Sequence, residues 1–299
     1  MVDSRVAVVI GGASGIGWAT ARALAAEGCR VTIADRNTEG AAQRAAELGD
    51  PHTWTAVEVT DEESVARLFD GVVSREGGLH VVVNCAGFSG FGLITELDAE
   101  QFRSVIDVCL TGAFLVLKHA GRHLGEGGSV VSLTSLNGRQ PAIGMSAYCA
   151  AKAGLSMLTQ VAALELGPRG VRVNAVAPSL AMHPNLEKVT PPGLLEELKA
   201  AEAFGRGAEP WEVVMRNLWF VVLAGCAIAP DAALPEGALA QIQAQQQQHH
   251  ASRPPSTRGR SAPAGAGQGQ GGHGGEGGGQ GYSPDGDHEG GMGMGVGMG

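Results

Sequence analysis

Six short runs of the chain, residues 5–10, 30–34, 53–59, 80–84, 129–133 and 171–177, are apolar almost without interruption and rich in valine. A strand with one wet face alternates apolar and polar side chains. A strand that is apolar throughout has both faces covered, as in a parallel sheet sandwiched between helices. Between the runs apolar residues recur at helical spacing, and Thr60-x-x-Glu63 and Asp98-x-x-Gln101 read as capping boxes that open helices. Long helices are predicted over 99–123 and 147–166, the second stopped by Gly167-Pro168. The repeated βαβαβ order predicts an α/β fold, a doubly wound, Rossmann-like parallel sheet flanked by helices.

After Pro178 the pattern loosens through Met182-His183-Pro184 and Pro191-Pro192-Gly193, then a helix is predicted over 194–204. This excursion reads as a lid over a ligand site, against the plainer reading of a surface loop. Residues 1–213 are expected to form the folded domain, 214–230 a divergent apolar segment and 231–299 a low-complexity Gln- and Gly-rich tail. From Gly259 to Gly299 there are 19 glycines in 41 positions. So few apolar side chains cannot offset the ordering entropy, and disorder is expected there. The apolar run Leu218 to Ala229 has twelve residues, too few to span a bilayer.

A formal net charge of -9 with no basic stripe argues against nucleic acid as a partner. The N-terminus lacks a signal-peptide layout, because the apolar run at 6–10 enters a Gly-rich turn at once. The cysteines (Cys29, Cys85, Cys109, Cys149, Cys226) are odd in number and dispersed, which suits reduced thiols in a cytoplasmic protein. His119 and His123 stand four apart on a predicted helix with no third ligand nearby in sequence, so a solvated helix face is expected and no metal site.

Chemistry concentrates in three places. Gly11-Gly12-Ala13-Ser14-Gly15-Ile16-Gly17 follows the first strand and opens a helix, so its backbone amides can approach a pyrophosphate. Asp35 ends the second strand, where a carboxylate accepts the hydroxyls of an adenine ribose and repels a 2'-phosphate; NAD is expected over NADP, with Arg36 as the opposing influence. Tyr148-Cys149-Ala150-Ala151-Lys152 sets a phenol and an amine one helical turn apart, with Ser135 thirteen residues upstream. An ordinary phenol titrates near pH ~10, so proton exchange near neutrality needs a neighbouring cation. One ammonium at about 4 Å supplies on the order of 4 kcal/mol at an effective dielectric near 20, before desolvation opposes it.

With Asn84-Cys85-Ala86-Gly87 closing the fourth strand, these motifs make the chain resemble the short-chain dehydrogenase/reductase family over roughly residues 3 to 213. The resemblance implies an NAD(P)-dependent enzyme that interconverts a secondary alcohol and a ketone, with Tyr148 as acid/base, Ser135 orienting the substrate oxygen and Lys152 holding the nicotinamide ribose. It also implies cofactor contacts at Gly11, Ser14, Gly15, Ile16, Gly17, Asp35, Glu58, Val59, Asn84, Ala86, Gly87, Tyr148, Lys152, Pro178 and Ala181. A homo-oligomer is expected from the family. The stretches Pro178 to Pro184 and Glu202 to Arg206 look like actinobacterial members acting on hydroxyacyl or steroid-ring-derived substrates.

Several positions depart from the pattern. Cys109 stands where the family has a catalytic asparagine, and a thiol is a weaker donor and acceptor than an amide. Ile10 replaces a threonine, Glu58 an aspartate, Ser179 a glycine, and His183 a threonine. From Val214 onward the chain no longer resembles the family ending, so the sheet is expected to lack its usual last strand and oligomerisation to be altered. A catalytically impaired NAD-binding protein with a frameshifted or fused C-terminus is the alternative reading, and a scaffold that acts through its tail is a third.

Overall fold

In the computed structural model, which describes residues 5–182, 186 and 193–214, the first apolar run becomes β1 (Val6–Ile10), buried at every position. Expectations for His183, for the middle of the predicted lid and for the segments beyond Val214 lie outside the described residues. The chain continues through α1 (Gly15–Ala26), β2 (Arg30–Asp35), α2 (Thr38–Leu48), β3 (Thr53–Ala56), α3 (Glu62–Glu76) and β4 (Val81–Asn84). It then forms α4 (Ala99–Ile106), a π-helical turn (Asp107–Thr111), α5 (Gly112–His123), β5 (Ser129–Leu133), α6 (Ser146–Leu166), β6 (Arg172–Val176) and α7 (Leu194–Ala201). The strands lie in the order β3-β2-β1-β4-β5-β6, every pair parallel. This is the predicted doubly wound sheet, with a switch point between β1 and β4 where ligands of such folds collect.

Alternation along β1 divides the core. Val6, Val8 and Ile10 join Val65, Phe69 and Val72 of α3 and Leu115 and Val116 of α5. Ala7 and Val9 face the other way, toward Ala21 and Leu24 of α1 and Ala41 and Ala45 of α2. Each large side chain buried this completely stabilises the fold by about 1.5–3 kcal/mol, and Phe69, Ile10, Leu24 and Ile33 are among the largest.

Four details differ from the sequence pattern. Burial on both faces holds for the inner strands but not for the edges: β3 alternates half-buried and exposed positions, and β6 exposes Ala175. Among the described residues β3 and β6 end the sheet; the expected loss of the last strand lies outside the described residues. The predicted start of α3 is displaced by one residue, because Asp61 caps it by accepting from Glu63 N while Thr60 Oγ1 donates to Glu58. Asp98 does cap α4, accepting from Glu100 N.

The helix predicted over 99–123 is interrupted by its π turn. The stretch Ala99–His123 is long and apolar enough to cross a membrane, but more than half of its most apolar window is buried within the fold, where α4 packs on α6 and α5 on α3. His119 is buried rather than solvated and lies 3.2 Å from Glu62 of α3, while His123 pairs with Asp70 at 3.0 Å. Both histidines tie α5 to α3. Among the described residues no group of three potential metal ligands comes together, and Cys29, Cys85, Cys109 and Cys149 are free thiols.

Candidate active site

β1 delivers the chain into its glycine loop at the carboxyl edge of the sheet. Gly11 has φ 74°, and a Cβ there would stand 2.9 Å from the amide nitrogen of Ala86 on the neighbouring β4 loop. Gly17 is tighter still: a Cβ would sit 2.0 Å from the carbonyl oxygen of Gly11. Only glycine lets α1 start this close to the loop. Ser14 makes no side-chain cap and the first turn of α1 carries no acidic residue, which leaves the helix N-terminus available to an anion.

Beside the loop runs a cleft of about 240 Å³ lined by Gly11, Ser14, Asp35, Glu58, Val59, Ala86 and Gly87 from the predicted set, together with Arg36, Asn37 and Phe88. β3 stops at Ala56 because Val57 to Val59 turn to form part of this wall. Asp35 is anchored there by two backbone amides, Oδ2 accepting from Ala13 N at 3.0 Å and Oδ1 from Asn37 N at 2.8 Å. Each oxygen retains a second lone pair for a hydroxyl. Gly15 and Gly17 of the predicted set do not line the cleft; they form the first turn of α1 beside it. Asn84 is buried, and its side chain accepts from Ala86 N at 3.1 Å, which fixes the turn that forms the opposite wall.

A second, more apolar chamber of about 420 Å³ adjoins this cleft and is lined by Ile16, Gly87, Ser135, Tyr148, Lys152, Pro178 and Ala181 from the predicted set. Tyr148 stands in the first turn of α6 and Lys152 one turn on, with Nζ 5.5 Å from the phenol ring centroid. Lys152 is only 3 % exposed and donates to the carbonyl oxygen of Leu133 at 2.7 Å, so two of its three N–H donors remain for other partners. Ser135 follows β5 and caps a short 3-10 turn, its Oγ accepting from Asn137 N at 3.2 Å. That bond uses a lone pair and leaves the hydroxyl proton free to be donated. Cys85 also lines the chamber, and burial pushes its thiol up to about 12, against the opposing charge of Lys152 and a hydrogen bond with Thr20. It stays a protonated thiol across the neutral range.

Cys109 sits apart from both cavity walls. It is fully buried in the π turn, where Sγ accepts from Phe88 N at 3.4 Å and donates to Phe88 O at 3.3 Å. The thiol thus ties the interrupted helix to the β4 loop. Sequence reasoning did not find Asn37, Asn137, Met145 or Phe91 in the walls. Asn37 had a readable signal, since it caps α2 by accepting from Gly40 N, but the others come from loops whose approach no local spacing announces.

A glycine-cradled cleft at the carboxyl ends of a doubly wound sheet, opening into an apolar chamber, defines a dinucleotide-dependent enzyme. Residues 11–224 match the family model described as Enoyl-(Acyl carrier protein) reductase, a match that runs past residue 213. The chain is 39% identical over 221 residues to (5R,7aS)-5-hydroxy-7a-methyl-1-oxo-2,3,5,6,7,7a-hexahydro-1H-indene-carboxyl-CoA reductase of Mycobacterium tuberculosis, covering 71% of this chain and 84% of that protein. It is 42% identical over 214 residues to cis-4-hydroxycyclohexanecarboxylate dehydrogenase of Sinomonas cyclohexanicum, covering 70% and 86%. A solved short-chain type dehydrogenase/reductase from Mycobacterium ulcerans superposes with TM-score 0.69 at 33% identity, covering 73% of this chain and 82% of that one. The chain belongs to the short-chain dehydrogenase/reductase family. It is an oxidoreductase of alcohols and ketones that uses a nicotinamide cofactor.

Proposed function

We propose that this protein interconverts a secondary alcohol on an alicyclic ring and the corresponding ketone, with NAD as its cofactor and Tyr148 as the acid/base. The reading is carried by one observation: Ser135, Tyr148 and Lys152 line a single apolar chamber that shares Gly87 with the glycine-loop cleft. When bound, the nicotinamide supplies a hydride for reduction or accepts one for oxidation. Tyr148 Oη gives its proton to the ketone oxygen in the reductive direction and takes it back in the oxidative one. Ser135 donates to the same oxygen and holds it in place, its lone pair already committed to Asn137 N. Lys152, fixed by Leu133 O, places positive charge beside the phenol and keeps two donors for the ribose hydroxyls. The ring alone, not the groups attached to it, is drawn from two relatives whose names carry a ring substrate, and the chamber walls with six leucines and two methionines suit it.

Asp35 carries the NAD assignment. Its oxygens lie on the cleft wall, and a 2'-phosphate would bring like charge against a carboxylate that two backbone amides hold in place. With a panel of cyclic ketones, at least one should consume the reduced cofactor, and kcat/KM with NADH should exceed that with NADPH by about tenfold or more. A preference for NADPH would mean that Arg36, also in the cleft wall, governs the ribose instead.

A second reading, a cofactor-binding protein with little turnover, is favoured by Cys109. Its thiol reaches Phe88 with long, weak bonds. Cys109→Asn is therefore expected to raise kcat several-fold, on the order of 1 kcal/mol in barrier, because an amide makes the stronger bonds; stopped-flow reduction of the same ketone measures it. An unchanged or lower kcat would mean that the thiol already holds the loop adequately. We also propose that the enzyme works in the reducing cytoplasm, in line with its free buried thiols, and that it self-associates. Exposed Met157, Val161 and Leu164 form a stripe along α6 and Phe114 is exposed on α5, apolar surface of the kind that subunits cover.

A further inference from the structure

Leu180, Met182, Leu186, Leu194 and Leu198 line the chamber together with Tyr148, and among the described lining residues the one carboxylate is Glu202. Glu202 follows directly after α7. Its Oε1 accepts from the hydroxyl of Ser179 and from Leu180 N at 3.1 Å. That donor pair cannot drift, because the Ser179 segment is itself zipped to the chain after α7. Ala208 N donates to Leu180 O and Met182 N donates to Ala208 O, both at 2.7 Å. Glu202 is half-buried, and turning its carboxylate away from the chamber would break two charge-assisted bonds.

Among the described lining residues the only cationic side chain is Lys152, and it is tied to Leu133 O on the catalytic side. Around Glu202 the two donors, a hydroxyl and a backbone amide, are already used on its own oxygen. An entering anion would therefore meet a like charge whose nearest donors are committed, at a half-buried position on the chamber wall.

We propose that Glu202, positioned by Ser179 and Leu180 N, is a specificity-determining residue that rejects anionic substrates and reserves the chamber for alcohols and ketones with a neutral body, such as amides, esters, thioesters or plain hydrocarbon rings. The inference deepens the proposed function and rests on it for the identity of the chamber. Its test reads binding, so that the two stand or fall separately.

The probes are a matched pair, oxocyclohexanecarboxamide and oxocyclohexanecarboxylate, titrated into the NADH-loaded full chain and followed by the fluorescence of the bound cofactor. The carboxamide is expected to bind about tenfold tighter, the equivalent of ~1.4 kcal/mol. Glu202→Gln, which keeps an acceptor for Ser179 and Leu180, should close most of that gap by tightening the carboxylate while leaving the carboxamide within about twofold. In the unmodified protein, raising the salt concentration should narrow the gap as well, because the penalty is Coulombic and not one of transfer into an apolar space. Equal binding of the two probes overturns the proposal. So does a gap that survives Glu202→Gln, or one that ignores salt. If the gap behaves as expected while no ketone is reduced, the charge filter stands and the catalytic reading fails. If ketones are reduced but the gap is missing, the reverse holds.

Discussion

Tyr148→Phe is expected to lower kcat by about a thousandfold, within the usual range for loss of a positioned proton donor. The cofactor should bind with affinity unchanged to within about twofold, since substitution that spares the scaffold leaves ground-state contacts in place. The two effects separate because the change removes only the hydroxyl. The ring remains packed beside Val105, Cys109, Ala147 and Ala151, and Lys152 keeps its bond to Leu133 O. Steady-state reduction of a cyclic ketone and a fluorescence titration of NADH measure the two quantities side by side. A variant that retained more than about a tenth of the original kcat would require another proton source, and the assignment of Tyr148 would be withdrawn.

Gly17→Ala should produce the other large effect, this time through the scaffold. A methyl placed 2.0 Å from Gly11 O overlaps a backbone atom that has nowhere to go, because Gly11 N is itself bonded to Ala34 O at 2.8 Å. Overpacking of this severity costs about 3 kcal/mol, which in a domain of this size lowers Tm by roughly 6–12 °C. Because relief comes from moving the loop away from α1, the NADH Kd is expected to rise by at least about tenfold, the ~1.4 kcal/mol equivalent of one displaced anion contact. Gly71→Ala is the control: it lies within α3, where an added methyl would meet nothing within 4 Å, and it should be neutral or mildly stabilising. If Gly17→Ala melted and bound NADH like the parent protein, the tight approach of helix to loop would not be what organises the cleft.

What is legible in the sequence, and what is not, divides along the range of the interactions. The glycine loop, Asp35 and the pair Tyr148 and Lys152 are legible because their geometry is set by a few residues of local chain: a strand, a turn, one turn of helix. The inner strands are legible for the same reason, since burial on both faces leaves an unbroken apolar run. β3 and β6, the end strands among the described residues, are less buried, because which strand stands at the end of the sheet is decided by topology. The π turn is invisible, since one extra residue in a helical turn hardly disturbs apolar periodicity. Its product, Cys109 facing Phe88 across 21 positions, is a long-range contact. Ser179 meeting Glu202 is another. The cap belongs to Asp61 and not to Thr60 because two adjacent side chains can accept from the same helix start, and spacing alone does not rank them. His119, expected on a solvated face, is buried because its carboxylate partner comes from a different helix.

Gly87 belongs to both cavities, and a Cβ there would lie 3.2 Å from Lys152 Nζ and 3.4 Å from Cys109 Sγ. A side chain at that point would press on the Lys152 amine and the Cys109 thiol. The bare backbone lets that amine lie against the stretch of chain that both cavities share.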